Sequence, residues 1–313
     1  MSTNNYEHIH PDFRHIMGMT DSERIAFMDQ PRWISNKSAQ HILDTLQGLL
    51  QKPVRPRMPN LLIVGESNNG KTTVVQRFRE LCGQGYVNED AEPVKPVIVS
   101  QAPPSADEKG LYVSILECFF TPYRATDPAT KLRYQVIHLL RMCHTRMLII
   151  DEFHSLLTGT PVKQREVMNA IKLLCNELAI PIVGVGTREA VRVLHTDPQH
   201  ASRFDVMTLP LWELNKDFQQ LLAGFEKVLP LKKPSKLHTP ELASLLHTIS
   251  EGNTGNLHRL LIECATEAIQ NGKEQIDKSI IESKAWLRPT RGIRELLALL
   301  HNGRFAYRCC LTK

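Results

Sequence analysis

Eight consecutive residues, Gly65-Glu66-Ser67-Asn68-Asn69-Gly70-Lys71-Thr72, narrow the folds open to this chain more than any other feature. They match the phosphate-binding pattern GxxxxGKS/T in full. They follow the apolar run Leu61 to Val64 and precede Thr73-Val74-Val75-Gln76-Arg77-Phe78, which reads as the start of a helix. A strand, a glycine loop and a helix in that order set backbone N–H groups and the positive end of a helix around an anion. Residues Gly65 to Thr73 then surround the phosphates of a nucleotide, Lys71 bridges its β- and γ-oxygens, and Thr72 ligates a magnesium ion. A chance glycine turn is the bland alternative, and the strand and helix in register argue against it.

Further along, Met147-Leu148-Ile149-Ile150-Asp151-Glu152 reads as a buried strand ending in two adjacent carboxylates, the Walker B pattern. Asp151 orients the magnesium ion and its water shell, while Glu152 polarises the water that attacks the γ-phosphate. The two acids could instead only cap the next helix, but they end an apolar strand where a P-loop fold keeps its ligand site. A glutamate placed to activate water favours hydrolysis over transfer to a second substrate, which argues against a small-molecule kinase. ATP and magnesium are the expected ligands. Ile180-Pro181-Ile182-Val183-Gly184-Val185-Gly186-Thr187 is another buried strand with a hydroxyl at its end. Thr187 is placed to hydrogen-bond the γ-phosphate or the attacking water, or to N-cap a helix starting at Arg188; the two readings are compatible.

Around these motifs, short apolar runs alternate with longer amphipathic segments. Leu61 to Val64, Val97 to Ser100, Met147 to Ile150, Ile182 to Val185 and Val206 to Leu209 are the expected strands of a parallel α/β sheet flanked by helices. Before them lies a helical appendage. Thr20-Asp21-Ser22-Glu23 fits a capping box, Ile42, Leu46, Leu49 and Leu50 share one face of a second segment, and Pro53, Pro56 and Pro59 mark a linker. After Trp212 only helices are expected, one opening with Thr239-Pro240, one over Asn256 to Ile269 and one near Lys278 to Leu287. The expected domains are therefore 1–58 (appendage and linker), 59–212 (α/β nucleotide-binding), 213–288 (helical lid) and 289–313 (basic tail with Arg291, Arg294, Arg304 and Arg308, preceded by Arg288).

Composition sets outer limits. The chain has 313 residues, 42% of them hydrophobic and 23% charged, which suits one large core and a smaller satellite. No stretch approaches the run of about 20 apolar residues that a membrane span needs, and the polar start MSTNNYEHIH lacks a signal-peptide pattern, so a cytoplasmic location is expected. The seven cysteines show no CxxC spacing and read as reduced thiols, with the adjacent Cys309 and Cys310 unexplained. Neither His8, His10 and His15 nor His138 and His144 is grouped with acids or thiols as a closed zinc site requires, and no GxSxG elbow or zinc finger is present. A net charge of +5 permits polyanion contact without predicting it.

Together the motifs resemble the AAA+ class of P-loop ATPases. In that class an arginine just before the last strand reaches the neighbouring subunit's nucleotide. Arg203, in Ala201-Ser202-Arg203-Phe204, stands there, with a surface arginine paired to Asp205 as the alternative and Arg188 and Arg192 as fallbacks. Gly252-Asn253-Thr254-Gly255-Asn256-Leu257-His258-Arg259 resembles the turn and helix that carry the sensor-2 arginine. Here the sequence departs from the pattern: the role is absent, taken by His258, or moved to Arg259.

A narrower resemblance rests on Glu23-Arg24-Ile25, Arg32-Trp33-Ile34, Arg57 to Gly65, Asn68-Asn69-Gly70-Lys71, Arg146 to His154, Asn176-Glu177-Leu178 and Val183 to Ala190. Over roughly residues 20 to 285 these are similar to the TniB/TnsC family of transposition ATPases, and the paired asparagines in the P-loop are distinctive. The resemblance implies an ATP-dependent homo-oligomer, a helical filament or ring on double-stranded DNA. It also implies a signal from a TniQ-like targeting protein, or in some relatives a CRISPR-associated complex, and recruitment of a DDE transposase. Lys109, Thr130 and Lys131, at helix starts, are candidate contacts to DNA phosphates. A nucleotide-gated scaffold with negligible hydrolysis, or an AAA+ loader acting in replication, would carry the same motifs.

Overall fold

The computed structural model describes residues 6–30, 32–83, 85–124, 126–195 and 202–287. The basic tail, with its arginines and Cys309 and Cys310, lies outside the described residues, as do Arg288 and Ala201. The chain divides into two units, Ser35–Pro210, and Met1–Ile34 together with Leu211–Lys313.

The larger unit is built on a parallel five-stranded sheet in the order β4-β5-β6-β1-β7. Its strands are β1 (Asn60–Gly65), β4 (Val97–Gln101), β5 (Met147–Asp151), β6 (Ile182–Gly186) and β7 (Phe204–Leu209), while β2 (Tyr86–Val87) and β3 (Pro93–Val94) form a separate antiparallel hairpin. The near-continuous apolar strands follow from burial on both faces. Leu62, Val64, Ile98, Leu148, Ile150 and Ile182 join the main core with residues of α4 (Glu108–Glu117), α5 (Ala129–Met142) and α6 (Pro161–Leu178). The alternate residues Leu61, Ile63, Ile149, Val183 and Val185 are equally buried and face the other side by the strand's period of two.

Two helices serve that other side. Following α1 of the smaller unit in chain order, α2 (Lys37–Gln51) packs on α3 (Lys71–Cys82) and β7, and α3 contacts β1, β4 and β6. The burial of Ile42, Leu43, Leu46 and Leu49 along one face of α2 explains why this helix belongs to the α/β unit. The proline-rich stretch after it is then a turn within the unit, with Met58 buried in the core, and does not link separate bodies. A short helix α7 (Val191–Leu194) follows β6.

The smaller unit is helical: α1 (Asp21–Met28), α8 (Lys216–Glu226), α9 (Pro240–Ser250), α10 (Thr254–Gln270) and α11 (Lys278–Ser283). The expected capping box at Thr20 is present, with Glu23 N donating to Thr20 Oγ1 and Glu23 Oε2 accepting from Thr20 N. Met28 of α1 packs among Phe218, Leu222, Leu246, Leu261 and Ile281, so the described residues up to Ile34 gather with the C-terminal helices and not with α2. A buried ion pair ties the two sequence ends of this unit: Arg24, fully buried, reaches Glu274 at 2.6 Å and 2.8 Å and also Asp21 at 2.7 Å. No helix among the described residues is long and apolar enough to cross a membrane.

Candidate functional site

The strand order sets the carboxyl ends of β5, β6 and β1 side by side, and the motif residues lie at those ends. At the end of β1, Gly65 runs so close to β7 that a Cβ would stand 2.8 Å from Leu209 O, so no side chain fits there. The loop then turns through Asn68 at φ +60° and Gly70 at φ +85°, and Gly70 occupies the N-cap of α3. The buried Asn69 donates its amide to Leu209 O at 3.2 Å and Pro210 O at 2.9 Å. Its side chain thus pins the loop to the end of β7 and leaves only its backbone to face a ligand.

Lys71 Nζ lies 2.7 Å from Glu66 O and 3.1 Å from Gly65 O. Burial pulls its ammonium below the usual lysine value, opposed by the charges of Glu152, Asp151 and Glu66. Thr72 Oγ1 donates to Asp151 Oδ2 at 2.7 Å. A hydroxyl and a carboxylate joined in this way are hard oxygen donors suited to a magnesium ion, which keeps several waters and takes the rest of its shell from phosphate. Among the described residues no group of three or more His, Cys, Asp or Glu side chains could hold a metal ion without such a ligand.

Asp151 Oδ1 accepts from the backbone N–H of Glu152 at 2.8 Å. Glu152 itself sits at φ +55°, ψ +34°, a left-handed conformation that costs a non-glycine residue on the order of 1–3 kcal/mol. Thr187 follows the end of β6. It stands at the N-cap of the 3-10 turn Arg188–Ala190, where its backbone oxygen accepts from Ala190 N at 2.9 Å, but its hydroxyl makes no capping bond. Thr187 Oγ1 is buried without a hydrogen-bond partner beside the other motif ends, as a group meant for a ligand would be. Next to it, Arg188 Nε pairs with Glu66 Oε1 at 3.2 Å, joining the β6 end to the P-loop.

Arg203 is placed elsewhere. It precedes β7, and its backbone oxygen accepts from Asn60 N at the start of β1, the end of that strand opposite Gly65. Five strand steps, about 17 Å, separate those two ends of β1. Arg203 Nη1 donates to Asn176 Oδ1 at 2.9 Å and its Nε is buried without a partner, so among the described residues neither Asp205 nor another acid holds it. Lys109 and Thr130 lie in the first turns of α4 and α5, as expected. Lys131, also in the first turn of α5, is paired with Asp127 at 2.9 Å. His258 and Arg259 are exposed on α10 in the helical unit, with the His258 ring 6.1 Å from that of Phe225.

Two participants escape a reading by motif. Asn176 near the end of α6 gives no local signal of holding Arg203. His154, whose Nε2 stands 3.3 Å from Glu152 Oε2, closes the Arg146 to His154 run that carries the family resemblance, but nothing in the sequence pairs it with Glu152.

A model of the family described as bacterial TniB protein matches residues 24–214. No curated protein matches the chain. Among solved structures, the chain is similar to the ORC2 protein of Aeropyrum pernix, solved in ADPNP-ADP complexes, with a TM-score of 0.62 and 16% identity over 87% of this chain and 74% of that one. It is also similar to Cdc6p from Pyrobaculum aerophilum, with a TM-score of 0.57 and 17% identity over 82% and 68% of the two chains. RuvB of Thermotoga maritima follows at a TM-score of 0.53 and 14% identity over 88% and 79%. These likenesses show the fold, that of the AAA+ P-loop ATPases.

Proposed function

This chain is a member of the TniB family, and we propose that it is an ATP-hydrolysing regulator of DNA transposition that assembles on target duplex DNA. The observation that carries the ATPase part is the 2.7 Å bond between Thr72 and Asp151, with Glu152 next in sequence. It brings the two halves of a nucleotide site together from distant parts of the chain. In this reading the P-loop N–H groups and Lys71 hold the phosphates, and Thr72 and Asp151 hold a magnesium ion, which when bound neutralises phosphate charge. Glu152 takes the proton of the attacking water and Thr187 orients that water or the γ-phosphate.

Arg203, turned away from the P-loop of its own chain, is supplied to the nucleotide of the next copy. That makes completion of each site depend on assembly, so ATP favours the oligomer and hydrolysis releases it. On DNA the oligomer contacts phosphates through residues such as Lys109, Thr130 and Lys131, the last in competition with Asp127. It passes the signal of a TniQ-like or CRISPR-associated targeting factor to a DDE transposase.

The experiment is ATP turnover together with pelleting or electron microscopy, with and without duplex DNA, on wild type and Glu152→Gln. ATP-dependent assemblies on DNA that persist when Glu152 is replaced support the reading. Nucleotide binding without DNA association at low salt would refute the transposition part. Assembly with no turnover would leave a nucleotide-gated scaffold.

A further inference from the structure

Between the Walker B acids and the end of β6 stands a histidine whose surroundings are too particular for a solvated surface group. His154 lies in the short 3-10 turn Phe153–Leu157 that follows Glu152. Its Nε2 is 3.3 Å from Glu152 Oε2, while its Nδ1 is buried and has no hydrogen-bond partner. The turn is packed against β6 at Gly186: a Cβ there would come 3.1 Å from His154 N and 3.4 Å from its Nδ1. The glycine, one residue before Thr187, therefore lets the backbone of the turn at His154 and the side chain of Ala190 come close to the strand end, with the imidazole beside it at ordinary contact distance.

The pairing solves a problem specific to Glu152. That residue's backbone is in the left-handed region and its side chain is half exposed, so neither packing nor a regular element fixes where the carboxylate points. An imidazole carrying its proton on Nε2 stands close enough, at 3.3 Å, to turn that proton onto one carboxylate oxygen and leave the other for water. The energy of one exposed pair is small, but orientation is what a general base needs, since a misplacement of about 1 Å at the reacting atoms costs on the order of 100-fold.

We propose that His154 is a positioning residue for the water-activating Glu152, holding its carboxylate in the productive orientation through Nε2. The inference rests on the ATPase reading above. It concerns turnover and not nucleotide affinity, because His154 pairs with Glu152 while the P-loop is held by Asn69 and Lys71.

The test uses the full chain with duplex DNA present, comparing wild type, His154→Ala, His154→Gln and His154→Asn by steady-state ATP turnover and by binding of a fluorescent ATP analogue. The glutamine amide nitrogen reproduces the position of Nε2, whereas the asparagine amide falls at Nδ1 and cannot reach Glu152. Alanine and asparagine are expected to lower kcat about tenfold or more with KM and analogue affinity within about twofold, and glutamine to restore most of kcat. If alanine does not fold, the contrast between glutamine and asparagine decides. A kcat unchanged or raised in the asparagine variant, or equal losses in asparagine and glutamine, overturns the positioning role. A wild type that binds the analogue yet shows no turnover overturns the ATPase reading itself, a result distinct from either.

Discussion

Thr72 and Asp151, 79 residues apart in sequence, meet at 2.7 Å, the hydroxyl donating to the carboxylate. Each leaves a lone pair free for a hard cation, and in the proposed reading the two act as a single magnesium site. Thr72→Ala and Asp151→Asn should therefore abolish the magnesium-dependent part of ATP affinity and leave the magnesium-independent part, a loss of tenfold or more by order of magnitude. Titrating a fluorescent ATP analogue with and without magnesium measures both parts. Stability should fall by only about 1 kcal/mol, the worth of one lost hydrogen bond.

Glu152 combines a reactive position with a strained backbone. Glu152→Gln keeps shape and hydrogen-bonding reach but removes the proposed base, so kcat should drop by on the order of 100-fold or more with analogue binding unchanged. Glu152→Gly also removes the left-handed penalty. Its thermal stability should be equal to wild type or higher by up to about 1 kcal/mol while turnover is lost. A destabilised glycine variant would show that the conformation carries no cost.

Asn69 holds the P-loop to the end of β7 through Leu209 O and Pro210 O. Asn69→Ala leaves a cavity and two carbonyls without that donor. The expected cost is about 1–3 kcal/mol of stability, together with weaker ATP binding because the loop N–H groups are no longer held in place. Asn68→Ala, at φ +60° and exposed, should cost less. Thermal melts with and without ATP separate the two effects.

Much of this was legible before any coordinates because the informative signals are local. Leu61 to Phe78 spells strand, loop and helix within one window, and Met147 to Glu152 spells a buried strand and its acids. The five expected strands match β1, β4, β5, β6 and β7 to within two residues at each end. What escaped depends on long-range contact. The hairpin of β2 and β3 has two residues in each strand, too few for a periodic pattern. The partition of the first 58 residues turns on which core α1 and α2 bury into, and two amphipathic helices look alike until their partners are known. Asn69 reads as a ligand contact from its motif, and only the position of Leu209 shows its amide already committed.

Arg203 lies at the opposite end of β1 from Gly65, which makes its expected role one that only another copy can reveal. Arg203→Ala should bind ATP normally and lose turnover by 1000-fold or more in order of magnitude. Lys71→Ala should fail to bind. Mixing the two inactive proteins should restore activity, because a Lys71→Ala subunit still offers Arg203 to an intact site on its Arg203→Ala neighbour. Absence of recovery over all mixing ratios, with co-assembly verified, would remove Arg203 from the catalytic machinery.

The helical unit offers a test independent of nucleotide. Burial opposes the charge on Glu274, but hydrogen bonds from Arg24 and Lys232 outweigh it and bring the carboxyl from 4.5 down to about 2. A carboxyl depressed on folding stabilises the fold above its unfolded value, and that contribution fades as pH falls from about 4.5 towards 2. Glu274→Gln should lose about 3 kcal/mol at neutral pH, because the buried Arg24 keeps only the exposed Asp21 as a charge partner, and should show a flatter decline in acid than wild type. All three tryptophans, Trp33, Trp212 and Trp286, belong to this unit, so urea unfolding followed by tryptophan fluorescence reports on it selectively. Wild-type and variant curves that run parallel between pH 4.5 and 2 would mean that the pair contributes no acid-sensitive stability.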